Sequence, residues 1–247
     1  MKPAEWLDWT VVLVLLAVIT LLLARRKLLR ELPVFSFYVI YHLLYGSYQL
    51  VLRLKHAYML FYYVYWLREG LDILIILAVL HEVFAKILSG YPALRRLGTS
   101  VYATATLVFG SVGFWLVWRT AYVGLNAFDN AAASVIRSFH FVELGIVFAL
   151  LVFCRLFALP WRQAIFGVAI GFGVKSSMQA LGQSVWLQSG YPGNMLGDFL
   201  VNFAYVVGLL IWTSFLITKQ EVEVVQQVPP SQYLERWDSA LDEIFAS

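Results

Sequence analysis

The sequence predicts an all-α, polytopic membrane protein: a seven-transmembrane-helix bundle with its N-terminus outside and its C-terminus in the cytoplasm. Seven apolar stretches follow one another between residues 6 and 218. Each has about the twenty residues that a helix needs to cross a hydrocarbon core of about 30 Å. The composition is 61% hydrophobic and only 13% charged, whereas about a quarter of the residues of a soluble domain are charged. The chain is therefore expected to fold in lipid.

The predicted spans are joined by short loops that contain basic residues or glycine. Their expected bounds are 6–24, 34–52, 62–83, 99–118, 134–153, 163–183 and 199–218. No basic region or cleavage site precedes the first span, so it is expected to be a retained helix. None of the seven prolines lies inside a span. In the sixth span Gly167 and Gly171 are four residues apart, a spacing that predicts close approach of a neighbouring helix.

The distribution of Lys and Arg between the loops gives the orientation. Ten basic residues fall on one side of the predicted membrane and four on the other. The positive-inside rule places the richer side in the cytoplasm, which leaves the N-terminus outside. The ten are Arg25, Arg26, Lys27, Arg30, Lys86, Arg95, Arg96, Arg155, Arg162 and Lys219, and the four are Lys2, Arg53, Lys55 and Arg119.

Charged side chains interrupt several spans, although each costs at least a few kcal/mol inside a bilayer. At about 100° per residue each set occupies one face of its helix, and these faces are expected to point into the bundle. Counting about 1.5 Å per residue places Asp72, Glu143 and Lys175 near the midplane and the others nearer the outside. The candidate ligand-binding residues are Arg68, Glu69 and Asp72 in the third span, Arg137, His140 and Glu143 in the fifth, and Lys175 and Gln179 in the sixth.

Two interpretations of these residues remain open. One is a buried ion-pair network that fixes the register of the helices and costs about as much as it gains. The other is an outward-facing intramembrane pocket for a small polar or zwitterionic ligand, which intramembrane ionisable residues generally indicate. Aromatic side chains would line such a pocket, and those expected there are Tyr41, Tyr45, Tyr65 and Trp66.

Several site classes are not supported. His42 and His140 are expected at different depths, which argues against a haem with two histidine ligands. His81 and Glu82 lack the second histidine of a zinc motif, and the chain contains neither a nucleophile elbow nor a phosphate-binding glycine loop. A retinal-binding lysine is not favoured, because the microbial rhodopsins carry theirs on the last helix with an aspartate one turn earlier, whereas Gly171 precedes Lys175. We expect no enzymatic activity, cofactor, metal or nucleic acid.

The sequence divides into a transmembrane domain, residues 1–218, and a cytoplasmic acidic tail, residues 219–247. Pro229 and Pro230 precede Ser231, a residue suited to cap a helix. Apolar residues then recur at helical spacing between acidic ones, which predicts a short amphipathic helix. Anionic lipid would repel this helix, so the expected contact of residues 231–246 is a protein partner or the basic loops of this chain, although a loosely ordered tail is equally compatible.

Residues 63–84, which begin Tyr-Val-Tyr-Trp-Leu-Arg-Glu and end Leu-His-Glu-Val-Phe, together with the segment from Arg155 to Arg162, resemble an uncharacterised group of seven-helix bacterial integral membrane proteins. The resemblance implies a multi-pass protein of the bacterial cytoplasmic (inner) membrane and no particular activity. We expect a sensor or receptor-like subunit that binds a small polar ligand. A small transporter and a structural subunit of a membrane complex are the alternatives.

Overall fold

The computed structural model describes residues 3–89, 92–119, 127–157, 163–189 and 195–218, together with Ser239. The described residues form helices and contain no strand. The all-α prediction is therefore confirmed. The helices are α1 (Pro3–Arg25), α2 (Leu28–Glu31), α3 (Pro33–Leu54), α4 (Tyr58–Ile87), α5 (Pro92–Arg119), α6 (Ala127–Leu156), α7 (Gln163–Ser189) and α8 (Met195–Ile217).

Each predicted span coincides with one of the seven long helices, with only residue 218 beyond a helix end. The helices extend further than the apolar stretches, because polar residues continue the backbone hydrogen bonds beyond the hydrophobic segment. Pro33 and Pro92 begin α3 and α5, where a proline lacks only a backbone N–H that has no intrahelical acceptor. The single turn α2 was not predicted; it follows Lys27, whose φ of 58° breaks the path of α1.

Six of the long helices form a closed ring. Helix α1 packs against α3 and α8, α3 packs against α4, and α4 packs against α6 and α7. The pairs α6–α7 and α7–α8 complete the circuit. Helix α5 contacts α4 and α6 and lies outside the ring. Only 11% of the residues in its most apolar stretch are buried.

Two polar contacts identify one end of this bundle, which we call the Arg26 end. The guanidinium of Arg26, after α1, donates hydrogen bonds to the carbonyls of Ile217 and Thr218 at the end of α8, at 2.6 and 2.8 Å. The carboxylate of Glu82 in α4 accepts hydrogen bonds from the backbone N–H groups of Val34 and Phe35 at the start of α3, both at 3.0 Å. Helices α1 and α8 therefore finish at the same end. We call the opposite end, where α3 finishes, the Arg53 end.

The half of the bundle nearest the Arg26 end is closely packed. Leu16, Ile19, Phe172 and Trp212 are all 1% exposed or less. Helices α7 and α8 approach as the glycine spacing predicted. A Cβ added to Gly167 would lie 2.5 Å from Cβ of Phe215, a distance that no relaxed structure allows. At Gly171 it would collide with the indole of Trp212.

Four helices are long and apolar enough to cross a membrane by length and composition, over Leu94–Trp115, Asn130–Leu156, Ala164–Trp186 and Met195–Ile217. Among the described side chains of α1 a shorter apolar run covers Trp9–Arg25. Helices α3 and α4 are 22 and 30 residues long but carry many polar side chains. Large apolar side chains on the outer surface, such as Leu44, Leu107 and Phe148, are more than 60% exposed. The chain thus has the features of a membrane protein.

Candidate functional site

A cavity of about 950 Å³ lies inside the ring, at the upper end of the size range of small-molecule sites. All six helices of the ring line it, and no described side chain of α5 does. Its lining includes residues at the helix ends that meet at the Arg53 end, namely Arg53 of α3, Phe61 of α4, Trp186 of α7 and Phe199 of α8. The cavity therefore occupies the half of the bundle away from the Arg26 end.

One group of charged side chains, which we call the α4 cluster, comprises Arg68, Glu69, Asp72 and His42. Arg68 Nε lies 3.0 Å from Asp72 Oδ2, and Arg68 Nη1 lies 3.4 Å from Glu69 Oε1. His42 of α3 places Nε2 3.2 Å from Asp72 Oδ1, and its Nδ1 lies 3.5 Å from Arg68 Nη2. In a neutral imidazole protonated on Nε2, the N–H faces the Asp72 carboxylate and Nδ1 can accept from the guanidinium.

A second group, the α6–α7 cluster, comprises Glu143, His140 and Lys175. Lys175 Nζ lies 3.5 Å from Glu143 Oε1, and His140 Nδ1 lies 3.5 Å from Glu143 Oε2. The Lys175 ammonium also stands 5.1 Å from the centroid of the Phe172 ring. Glu143 is 0% exposed, so both of its oxygens face protein groups that carry or can carry a positive charge. Its burial depends on this pairing.

Neutral polar and aromatic side chains line the cavity between the charged clusters and the Arg53 end. Eleven residues separate His42 from Arg53 along α3 and Lys175 from Trp186 along α7, which corresponds to a depth of about 16 Å. Gln49 and Gln183 lie within this interval, and both line the cavity. The charges thus lie at the deep end of the cavity, below a wall of amides and aromatic rings.

A cluster of aromatic rings closes the deep end. Phe35, Tyr38, Phe172 and Trp212 contact one another with ring centroids 4.8 to 6.5 Å apart. The indole of Trp212 donates a hydrogen bond to the carbonyl of Val168 at 3.1 Å, so its only polar atom is satisfied. This aromatic floor separates the cavity from the Arg26 end.

Six of the eight sequence-predicted site residues line the cavity: Arg68, Glu69, Asp72, His140, Lys175 and Gln179. The other two do not. Glu143 lies behind Lys175 and His140, which both line the cavity and contact its carboxylate. Arg137 is half-buried and stands 5.8 Å from the Phe141 ring of its own helix. Of the expected aromatic residues, Tyr45, Tyr65 and Trp66 line the cavity and Tyr41 does not.

His42 is not among the site residues that the sequence predicts. The structure places it between Asp72 and Arg68, in contact with both. Its position in the middle of an otherwise apolar run was the available signal, because a buried polar side chain needs a partner. Gln49, which recurs seven residues later on the same face, gave the same signal.

Within the described ranges, no group of three or more His, Cys, Asp or Glu side chains is arranged to hold a metal ion. The predicted amphipathic helix of residues 231–246 lies outside the described residues, apart from Ser239.

Comparison with known proteins gives no relative. No protein-family model matches the chain, and neither a curated protein nor a solved structure is significantly similar to it.

Proposed function

We propose that the chain is a seven-span integral membrane protein of a bacterial cytoplasmic membrane, with its N-terminus outside. Two observations support this topology. Helices α1 and α8 finish at the same end of the bundle, as an odd number of crossings requires. Of the fourteen basic residues that flank the predicted spans, ten fall at the span ends and connections on that side, and the positive-inside rule assigns the richer side to the cytoplasm. The cavity would then face outward.

The function that we propose is recognition of a small polar ligand by a sensor or receptor-like subunit. The observation that carries this proposal is the cavity itself: about 950 Å³, lined by six helices, with ionisable side chains at its deep end. A purely structural ion-pair network would pack its polar groups against one another without enclosing a space of this size. Intramembrane ionisable residues beside a cavity generally mark a binding site or a pathway.

The proposed response passes through contacts that join neighbouring helices. The contact of His42 with Asp72 joins α3 to α4, and that of Lys175 with Glu143 joins α7 to α6. A ligand that binds one arrangement of these helices more tightly than another shifts the equilibrium between them. The change would reach the Arg26 end, where Glu82 holds α3 to α4 and where the cytoplasmic tail begins. Residues 231–246 are the proposed contact for a protein partner.

A cavity-filling substitution tests ligand recognition without a change of charge. Ala133 lines the cavity and Ala131, on the same helix, is exposed. We expect Ala133→Phe to remove any non-protein density between the helices of the ring in a structure solved in lipid, and Ala131→Phe to leave such density unchanged. A wild-type cavity without any such density, in protein purified with its native lipids, would count against the proposal.

A small transporter is the second candidate, because the cavity lies on the axis of the ring and the aromatic floor is its barrier toward the Arg26 end. Accumulation of a labelled solute in sealed vesicles, lost in Ala133→Phe and retained in Ala131→Phe, would favour transport. Binding without accumulation would favour the sensor. Copurification with other subunits, without binding of any solute, would favour a structural role in a membrane complex.

A further inference from the structure

The full charges at the deep end of the cavity are already paired with one another, and a charged ligand group would therefore find no free partner there. Arg68 contacts two carboxylates and a histidine, and Lys175 contacts a carboxylate that has no exposure to solvent. A charged ligand would have to compete with these intramolecular pairs and would lose its own hydration on entering. A neutral ligand would leave both clusters intact.

The amide and phenol groups of the wall carry no charge and so have no ion-pair partner. Arg68 Nε, Asp72 Oδ1 and Glu143 Oε1 also lack a hydrogen bond of good geometry, but each of them stands in an ion pair. Gln49 Nε2, Gln179 Oε1, Gln183 Oε1 and Tyr45 Oη are buried and have no hydrogen-bond partner among the described residues. Gln49 and Gln183 are 3% and 7% exposed. Each amide offers a donor and an acceptor whichever way it is turned, and a buried polar atom without a partner costs about 1–3 kcal/mol. These four residues all line the cavity.

The wall residues combine polar groups with flat aromatic surface. Gln179 and Gln183 are one turn apart on α7, and Tyr45 and Gln49 are one turn apart on α3, so the Cβ atoms of each pair lie about 5–6 Å apart on one helix face. The aromatic rings that line the same part of the cavity include Trp9 and Trp186. Such rings provide flat apolar surface for the faces of a ring whose edges carry hydroxyl groups.

We propose that the ligand of the cavity is a neutral, polyhydroxylated ring compound of the carbohydrate class, recognised by Tyr45, Gln49, Gln179 and Gln183, and that the charged clusters support the site without binding the ligand. This inference rests on the proposed function, because it requires that the cavity bind a ligand. It specifies the chemistry of that ligand as neutral.

The test uses the full chain in lipid nanodiscs and three families of probes with the same ring: neutral mono- and disaccharides, their uronic acids and their amino-sugar counterparts. Binding is measured by the shift in thermal unfolding temperature and by tryptophan fluorescence. We expect neutral probes to bind at least tenfold more tightly than charged counterparts, with an affinity independent of salt. Uronic acids or amino sugars that bind more tightly than the neutral probes would overturn the inference but retain the proposed function.

Two kinds of variant distinguish the contribution of the polar wall residues to binding from that of the charged residues. The double substitution Gln179→Leu and Gln183→Leu is expected to weaken binding of the best neutral probe at least tenfold, and Leu181→Ala, on the exposed side of the same helix, is expected to leave it unchanged. The pair Glu143→Gln with Lys175→Met removes both charges together, and we expect affinity within threefold of wild type. A tenfold loss in that pair would overturn the inference. No response to any probe, in protein that unfolds cooperatively, would overturn the inference; ligand recognition itself is tested separately by the Ala133→Phe comparison.

Discussion

The α4 cluster and the α6–α7 cluster contain the same kinds of side chain in different surroundings. In the α6–α7 cluster the side chains of Lys175 and Glu143 are 5% and 0% exposed. In the α4 cluster those of Arg68 and Glu69 are 22% and 20% exposed. Glu143 lies behind the cavity wall, whereas Glu69 forms part of the wall. The Glu143 carboxylate is enclosed by protein, with Lys175 between it and the cavity, whereas Arg68 and Glu69 both border the cavity.

This difference in exposure decides what each charge contributes to stability. An enclosed charge depends entirely on its protein partner, because no water can replace that partner once it is removed. A charge beside a cavity retains access to solvent, which weakens the pairing and also reduces the penalty for losing it. The α6–α7 cluster is therefore expected to govern stability, and the α4 cluster is expected to tolerate change.

Removal of Glu143 should have the largest effect. Glu143→Leu leaves the Lys175 ammonium buried without its carboxylate, and breaking a buried pair in this way costs about 3–5 kcal/mol. We expect a loss of that size in the free energy of unfolding, measured by titration with dodecyl sulfate in mixed micelles. Glu31→Leu, at an exposed position, serves as the control and should change stability by about 0.5 kcal/mol or less. Equal losses at the two positions would show that Glu143 contributes no more to stability than an exposed glutamate does.

Removal of both charges of the enclosed pair should restore most of that loss. Glu143→Gln with Lys175→Met replaces two buried charges by side chains of similar length, and such replacements are often neutral for stability. We expect the double variant to unfold within about 1–2 kcal/mol of wild type, and clearly above Glu143→Leu in the same titration. If the double variant were as unstable as Glu143→Leu, packing around Glu143 would explain the loss better than its charge.

The helices and their buried faces were predictable from the sequence, because apolar length and a period of 3.6 residues are local properties. Asp72, His140 and Lys175 were placed on inward faces by this period, and the structure has them in the cavity wall. Ile136 lines the cavity, and Arg137 is the next residue in the sequence. The rotation of about 100° between neighbours turns Arg137 away from the cavity.

The contacts between helices were not predictable, because they depend on which helices are neighbours and on their relative depth. His42 and Asp72 are 30 residues apart in sequence and meet only because α3 packs against α4. For the same reason, the position of Glu143 behind Lys175 could not be predicted from the sequence. Periodicity assigns a residue to a face, but it does not determine which of two residues on that face reaches the cavity.

In the α4 cluster, removal of the Asp72 charge should have an intermediate effect. Asp72→Asn keeps the shape of the side chain and leaves Glu69 as a carboxylate for Arg68. The amide has one acceptor oxygen where the carboxylate has two, so either His42 Nε2 or Arg68 Nε loses the oxygen that it faces. We expect a loss of about 1–3 kcal/mol, smaller than for Glu143→Leu in the same dodecyl sulfate titration. A loss that matched or exceeded the effect of Glu143→Leu would invert the proposed ranking of the two clusters.

The smallest effect is expected at Glu69, which contacts Arg68 at 3.4 Å and is partly exposed beside the cavity. Arg68 keeps its shorter contact with Asp72 when Glu69 becomes neutral, and exposed pairs of this kind contribute about 0–1 kcal/mol. We therefore expect Glu69→Gln to change the free energy of unfolding by about 1 kcal/mol or less. Raising the salt concentration should shrink even this difference, because salt screens charges that water reaches but affects enclosed charges much less. A salt-independent loss of several kcal/mol would mean that Glu69 is enclosed in the membrane as Glu143 is, and the contrast between the two clusters would then disappear.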